Sequence, residues 1–211
     1  MPDVADTPRI RRHQRTRDAI LEAARRLLVT KGQDGLSVRA IARAIDFSPA
    51  ALYEYFDGKD GILEALGAEA LDQLEIQLRD VPRDMPAQPR LEAYCHTYIQ
   101  FALEETPYFW LLAGPVSSTQ QKPQEKSLHH ILFPNLLRAV RDLLSEALGR
   151  TAPLLTAERT ALGIWSLSHG MAMLQLTQLS QHRADFSAAN QLLIRDLLAS
   201  ATQPRKADPI S

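Results

Sequence analysis

Residues 37–59 read SVRAIARAIDFSPAALYEYFDGK and predict two short helices joined by a tight turn. Ser37 is a suitable N-cap for the first helix, because its side chain can accept a hydrogen bond from a free backbone N–H. Asp46-Phe47 leaves room only for a tight turn. Ser48 can cap the second helix, with Pro49 at the first helical position, where its missing N–H costs nothing. Each helix has an apolar face, formed by Val38, Ile41, Ala42 and Ile45 in the first and by Leu52 and Phe56 in the second.

Two short helices joined in this way form a helix-turn-helix, whose second helix lies in the major groove of DNA. The small side chains of Ala50 and Ala51 would let its N-terminus approach base edges, and Tyr53 offers a hydroxyl to a phosphate. Tyr55 also lies off the apolar face. Glu54 is the exception, because its carboxylate repels phosphate or else accepts a hydrogen bond from a cytosine amino group.

The stretch resembles the tetracycline-repressor-like family of bacterial transcription regulators. One departure is Asp46, where that family usually has Gly in the turn, but Asp tolerates left-handed backbone better than most residues. The resemblance implies a repressor that binds a near-palindromic operator as a homodimer. The matching residues are Ile20-Leu21, Ala23-Ala24, Gly32, Ser37, Ile41-Ala42, Ser48, Leu52-Tyr53, Tyr55-Phe56, Lys59 and Leu63.

Charge is distributed unevenly along the chain. The formal net charge of the 211 residues is −1, but ten basic residues and only three acids lie between Arg9 and Arg43. A cluster of basic residues around a DNA-binding motif is the electrostatic signature of phosphate contacts, although the same pattern also occurs on ordinary solvated helices. The predicted DNA-binding residues are Arg15, Ser37, Arg39, Ser48, Pro49, Ala50, Ala51, Tyr53, Tyr55 and Lys59.

Helical spacing of apolar residues continues along the chain, and no segment alternates as a strand does. We therefore predict an all-α protein of about nine helices, with a helix-turn-helix domain over residues 9–60. A helical effector-binding and dimerisation domain should span 61–201, followed by a disordered tail over 202–211. Residues 1 to about 12 should form a mobile arm, and 114–126 a loop.

Several helix boundaries can also be predicted. The first helix should run from near His13 to Lys31 and stop at Gly32, and the fourth should run from near Gly58 to about Arg79. A later helix should either start or kink at Pro134. We expect Thr156 to cap a long uncharged helix that reaches about Gln181, and Ser187 to cap the last helix, to about Ala201.

The uncharged segment from Thr160 to His182 is long enough to span a bilayer. Serines, glutamines and His169 interrupt it, which favours a buried helix of a soluble protein. The N-terminus lacks a signal peptide, and the single cysteine, Cys95, excludes an internal disulfide. These features predict a cytoplasmic protein without membrane partners.

The C-terminal half resembles one branch of the same family, through the pattern Trp165, His169, Gly170. The resemblance implies a small-molecule effector bound among the C-terminal helices, and a dimer made by the last two. An apolar or aromatic effector fits the many aromatic residues, although aromatics at helical spacing are more often simply core. The predicted effector-binding residues are Tyr98, Phe101, Phe109, Phe133, Trp165, His169 and Met173.

The same long helix predicts a dimer interface on its other side, because small residues there let two helices approach closely. At 100° per residue, Gly163, Ser166, Leu167, Gly170, Leu174 and Thr177 share one face. The last helix should contribute Leu192, Leu193, Ile194, Leu197 and Leu198.

We find no catalytic or metal-binding pattern and expect neither an enzyme nor a cofactor. Cys95 and His96, like His129 and His130, are neighbours in sequence and do not face each other on a helix. The main alternative is a DNA-binding regulator without a small-molecule sensor, controlled by a partner protein or by its own abundance.

Overall fold

The computed structural model describes residues 7–113, 128–149, 151, 153–182 and 184–203. Within these ranges it contains nine α-helices and no strand, which confirms the predicted fold class. The predicted loop over 114–126, and nearly all of the predicted tail, lie outside the described residues. The helices are α1 (Pro8–Gly35), α2 (Val38–Ala44), α3 (Pro49–Leu52), α4 (Gly58–Arg79), α5 (Ala87–Glu104), α6 (Thr106–Ala113), α7 (Leu128–Leu148), α8 (Leu154–Leu176) and α9 (Phe186–Thr202).

The chain forms two compact units, with boundaries that differ from the predicted division at residue 60. The first unit comprises the described residues of Met1–Ala70 and of Pro107–Pro123. The second comprises those of Leu71–Thr106 and of Gln124–Ser211. The change of unit at Ala70 falls within α4, and α6 belongs almost entirely to the first unit.

The N-terminal boundary of α1 corrects one prediction. The helix begins at Pro8, and the Thr7 side chain accepts a hydrogen bond from the backbone N–H of Ile10 at 3.3 Å. Residues 8–12, predicted as part of a mobile arm, are therefore helical. The cap and the proline at the first position explain why, since together they stabilise a helix start. Gly32 interrupts the helix with φ of 68°, as predicted for a glycine stop.

The helices α2 and α3 begin at the predicted caps. Ser37 accepts a hydrogen bond from Ala40 N–H and Ser48 one from Ala51 N–H, each at 3.2 Å. In the turn between them, Asp46 stands where the related family usually has glycine. Its φ of 56° is the left-handed conformation that this turn requires. Ile41 and Leu52 are buried, which fixes the apolar faces of both helices inward.

In the second unit, α5, α7, α8 and α9 pack against one another around one apolar core. Leu91 on α5, Val140 and Leu144 on α7 and Ala161 on α8 are fully buried in it. Pro134 lies inside α7, so the helix neither starts there nor ends. Ile194 and Leu198 of α9 also belong to this core, which corrects their assignment to a dimer interface.

Two predicted caps in this unit are wrong. The helix α8 begins at Leu154, after Pro153, and Thr156 lies in its first turn rather than at the cap. It ends at Leu176, because Thr177 has non-helical backbone angles, and not at Gln181. The cap of α9 is Asp185, whose carboxylate accepts from the Ser187 N–H at 2.9 Å. A carboxylate competes well for this position, since it also interacts favourably with the helix dipole.

Candidate DNA-binding and effector sites

The N-terminus of α3 presents small side chains to solvent. Pro49 and Ala50 are exposed and Ala51 is half-buried, while Leu52 on the opposite side is buried. The sequence predicts Tyr53 and Tyr55 on this helix. The helix contains only four residues, however, and both tyrosines lie in the turns that follow it. Tyr53 is nevertheless 63% exposed and available to a phosphate.

Tyr55 and Lys59, two further predicted DNA contacts, have partners within the first unit. The Tyr55 ring stacks on His13 with 4.6 Å between ring centroids. The Lys59 ammonium donates a hydrogen bond to the Gln33 carbonyl oxygen at 2.8 Å. These contacts support the backbone around α3, and sequence spacing gave no indication of them because both partners lie on α1.

The basic residues of the first unit fall into two groups. Arg15 and Arg39 are exposed. Arg25 instead forms an ion pair with Glu69, with Nε and Oε2 3.0 Å apart, and the hydrogen bond to Glu69 raises the pKa of Arg25. Exposed cations contribute to DNA affinity, whereas Arg25 is already neutralised and belongs to the packing of α1 against α4.

Two predicted effector residues of the second unit are joined by a hydrogen bond. The Tyr98 hydroxyl and His169 Nδ1 are 2.9 Å apart, and Tyr98 lines the same small cavity as Trp165. Burial of the hydroxyl raises the pKa of Tyr98 to about 12. Burial also lowers the pKa of His169, so the imidazole is neutral at pH 7 and can accept from the tyrosine.

A second polar pair connects the same two helices. The Cys95 thiol on α5 and the Ser168 hydroxyl on α8 are both buried, and the hydroxyl donates to the Ile164 carbonyl oxygen at 2.9 Å. Burial raises the pKa of Cys95 to about 11, so the thiol is protonated at pH 7. A protonated, buried thiol is a poor nucleophile, in agreement with a structural role.

The cavity at these residues is smaller than the 300–1,000 Å³ that we expected of an effector pocket. Its volume is about 20 Å³, and Tyr98 and Trp165 contribute to its wall. The Phe133 ring lies beside Trp165, with 6.4 Å between centroids. Phe101 is buried, Met173 is half-buried and neither lines the cavity, while Phe109 belongs to the first unit.

A larger cavity that the sequence did not indicate lies between α5 and α9. It measures about 430 Å³ and is lined mainly by polar side chains, among them His96, Gln100 and Asn190. The Arg195–Glu92 ion pair, at 3.1 Å, lies along its wall. Polar residues on exposed helix faces give no signal in an apolar pattern, which is why sequence analysis missed this cavity.

The predicted dimer face of α8 is open. A Cβ atom added at Gly163 or Gly170 would have no atom within 4 Å other than those of its chain neighbours and of the backbone of α8. Leu174 is 47% exposed, and Leu193 on α9 is 50% exposed. Ser166 and Thr177 are exposed, whereas Leu167 and Leu197 are half-buried. Exposed Leu162, at 55%, lies next to Gly163 and enlarges the apolar face beyond the predicted set.

Within the described ranges, no cluster of three or more potential metal ligands occurs. No helix among those residues is both long and apolar enough to cross a membrane, including α8, the helix with the uncharged segment.

Residues 20–66 match the family described as bacterial regulatory proteins, tetR family, and residues 91–197 match the tetracyclin repressor-like C-terminal domain. The uncharacterized HTH-type transcriptional regulator YobS of Bacillus subtilis is 24% identical over 87% of this chain and 91% of its own. The HTH-type transcriptional regulator BetI of Paraburkholderia xenovorans is 26% identical over 78% and 83%. A protein of unknown function from Rhodococcus sp. RHA1 has a similar structure, with a TM-score of 0.72 and 25% identity over 89% and 95% of the two chains.

Proposed function

We propose a function from one premise, which is that the chain belongs to the tetR family of bacterial regulatory proteins. It is a transcription regulator with a DNA-binding helix-turn-helix. In our proposal it is a cytoplasmic repressor that binds a near-palindromic operator as a homodimer, and a small molecule bound in the second unit releases it.

The observation that carries the DNA-binding part is the exposed N-terminus of α3. Its small residues and the nearby hydroxyl of Tyr53 face the solvent, while Leu52 on the opposite face of the helix is buried. Backbone and side-chain groups at such a position can approach base edges, and exposed Arg15 and Arg39 can approach phosphates.

Binding to DNA fragments selected from a random pool tests this proposal. Affinity should fall steeply with salt, because each cation–phosphate contact releases counterions. Arg39→Gln removes one phosphate contact from each copy of the homodimer, so it should lower the slope of log affinity against log salt by about 0.9 per copy, or about 1.8 in all. Arg141→Gln, an exposed position on α7, is the matched control and should leave the slope unchanged. Equal slopes for both variants and wild type would contradict a role of Arg39.

The homodimer is supported by the open face of α8. Two copies that meet through Gly163 and Gly170 could bring these helices close together and cover exposed Leu162 and Leu174. A two-fold axis would then place the two copies of α3 on half-sites about one helical turn, or 34–36 Å, apart.

The alternative function is regulation without a small-molecule sensor. The small volume at Trp165, about 20 Å³, supports it, whereas the cavity of about 430 Å³ between α5 and α9 has the size of a small-molecule site and supports a sensor. A thermal-shift screen separates the two, since a ligand that binds the folded state raises the unfolding temperature. Stabilisation of wild type but not of Trp165→Ala would favour the sensor and place its ligand at this tryptophan.

A further inference from the structure

Three arginines meet at a small cavity of the second unit, beside the aromatic residues described above. Arg83 lies in the connection between α4 and α5, Arg90 on α5 and Arg138 on α7. All three line the same cavity of about 60 Å³. Like charges are brought together in a fold only where something compensates their repulsion.

Arg90 is the buried member of this group, with a side chain only 12% exposed. One of its terminal nitrogens, Nη2, donates to Asp142 Oδ2 at 2.5 Å, and the other, Nη1, donates to the Arg83 carbonyl oxygen at 2.8 Å. The remaining N–H, on Nε, is buried and has no acceptor among the described residues. A buried donor without a partner is costly, so an acceptor atom, from water or from a ligand, belongs beside Nε.

Asp142 compensates only one of the three charges. No carboxylate among the described residues lies within ion-pairing distance of Arg83 or of Arg138. With Arg90 paired, the cavity wall keeps an excess of two positive charges. Arginines in this number favour an anionic group that can accept several hydrogen bonds, as a carboxylate does.

The arginine-lined cavity and the cavity at Trp165 share two wall residues. Tyr94 and Asn135 line both. The inner cavity is otherwise mainly apolar and includes the side chains of Leu78, Leu132 and Leu136. A molecule that fills both cavities would need a charged end in the arginine-lined cavity and a short apolar end in the cavity at Trp165.

We propose that the second unit binds a small carboxylate, with its charged group among Arg83, Arg90 and Arg138 and its short apolar group directed past Tyr94 and Asn135 toward Trp165. This proposal names the chemical class of the effector and therefore rests on the proposed function. The carboxylate supplies the acceptor that Arg90 Nε lacks, and the apolar end replaces the space of about 20 Å³ at the tryptophan.

Titration of the purified full chain with acetate, propionate, butyrate and benzoate tests the proposal. Binding is monitored by ligand-observed NMR. Affinity should rise from acetate to butyrate by about fourfold per methylene, which is the gain from burying one CH₂. Butyramide has the shape of butyrate without its charge and should not bind measurably. Equal binding of butyramide and butyrate would overturn the proposal, and so would binding of inorganic sulfate as tight as that of butyrate, which would indicate a simple anion site.

Substitution of the exposed arginines locates the site. Arg138→Gln and Arg83→Gln should each weaken butyrate binding about tenfold, the loss expected of one charge-assisted hydrogen bond. Arg141→Gln removes an exposed charge of the same helix that does not line the cavity, and it should bind butyrate as wild type does. Equal affinity of Arg138→Gln, Arg83→Gln and wild type would overturn the assignment.

Arg90 requires a variant that keeps the fold. Arg90→Ala would leave Asp142 without its partner and could unfold the unit, so Arg90→Lys is preferred, because it retains one charge and removes the Nε–H. It should keep the circular dichroism spectrum of wild type and still lose butyrate affinity about tenfold. Full affinity in this variant would contradict the role given to Nε.

Operator binding, measured in parallel without carboxylate, keeps the two proposals separate. If no carboxylate binds while the protein still binds its selected DNA, this inference fails and the DNA-binding part of the proposed function stands. If butyrate binds with the expected dependence on Arg138 while no DNA is bound, the site is supported and the proposed function fails.

Discussion

Two regions of the molecule contain hydrogen bonds of different range. In the helix-turn-helix, the hydrogen bonds that start α2 and α3 are local, since Ser37 and Ser48 each bind a backbone N–H three residues further along. In the second unit, Tyr98 and His169 are 71 residues apart in the chain and 2.9 Å apart in space. The first arrangement can form in a short segment, whereas the second exists only once α5 and α8 have packed.

The two regions also differ in how far their functional residues are exposed to solvent. The small residues of α3 are exposed, and they remain hydrated until DNA replaces the water. Tyr98 and Cys95 are buried, and burial shifts the pKa of both upward, to about 12 and about 11. An exposed surface and an interior that stabilises neutral groups suit different ligands, which in our proposal are DNA for the first and a small molecule for the second.

The largest expected effect is that of Gly170→Arg, a substitution in the second unit that should weaken DNA binding by the helix-turn-helix because it prevents dimerisation. Gly170→Arg places a charged side chain in space that is open in one copy, so the isolated chain should fold normally. In a dimer the same side chain would be buried against its copy, and the protein should become monomeric. Operator affinity should fall at least about a hundredfold, because only one half-site is then bound at a time.

Analytical ultracentrifugation together with operator titration measures this effect. Gln77→Arg, at an exposed position of α4, controls for the added charge and should remain dimeric. A Gly170→Arg protein that sediments as a dimer would show that this face of α8 is not the interface.

Helix caps give the next largest effect and compare the two regions directly. Ser48→Ala and Asp185→Ala each remove a side chain that accepts from a backbone N–H, and each should cost about 1 kcal/mol of unfolding free energy. Ser187→Ala, at the second residue of the helix that Asp185 caps, is the matched control and should change the unfolding free energy by less than about 0.5 kcal/mol. Chemical denaturation measures all three, and an equal loss for Ser187→Ala and Asp185→Ala would contradict the cap at Asp185.

These caps also explain which parts of the fold the sequence could predict. Ser37 stands directly before the apolar helical pattern of α2, and Pro49 follows Ser48 at the first helical position of α3, so both helix starts could be located. At α9, Asp185 and Ser187 are both good caps, and the sequence contains no information on which one the packing of Ile194 and Leu198 selects. Thr7 was overlooked because the arginines after it were interpreted as a mobile arm.

The candidate sites were predictable in proportion to how local they are. The exposed residues of α3 follow from the helix period alone. The arginine-lined cavity depends on Arg83, Arg90 and Arg138, which lie in three elements and share no sequence pattern. Lys59 was predicted to contact DNA because of its position, and only the structure shows that the Gln33 carbonyl binds its ammonium.

A smaller effect concerns Tyr53, which is 63% exposed and carries out no packing that Phe could not provide. Tyr53→Phe should weaken operator binding about two- to tenfold through the loss of one hydrogen bond to phosphate. The salt slope should stay at the wild-type value, because a neutral hydroxyl releases no counterion. Filter binding over a salt series measures both quantities, and unchanged affinity would exclude Tyr53 as a DNA contact.

The smallest expected effect is a pH dependence that belongs to the second region alone. Burial lowers the pKa of His169 in the folded state, whereas the unfolded chain keeps a value near 6.5. Between these two values the unfolded state binds more protons, so stability should fall as the pH drops below about 6.5 and should lose nothing further from His169 below its folded pKa. The change should be small, because the imidazole is only half-buried.

Denaturation of the second unit between pH 7.5 and 5 measures this change in stability in wild type, in His169→Asn and in the control His96→Gln, whose histidine is exposed. The stability loss attributable to His169 should disappear in His169→Asn and persist in His96→Gln, and equal losses in all three proteins would contradict this assignment.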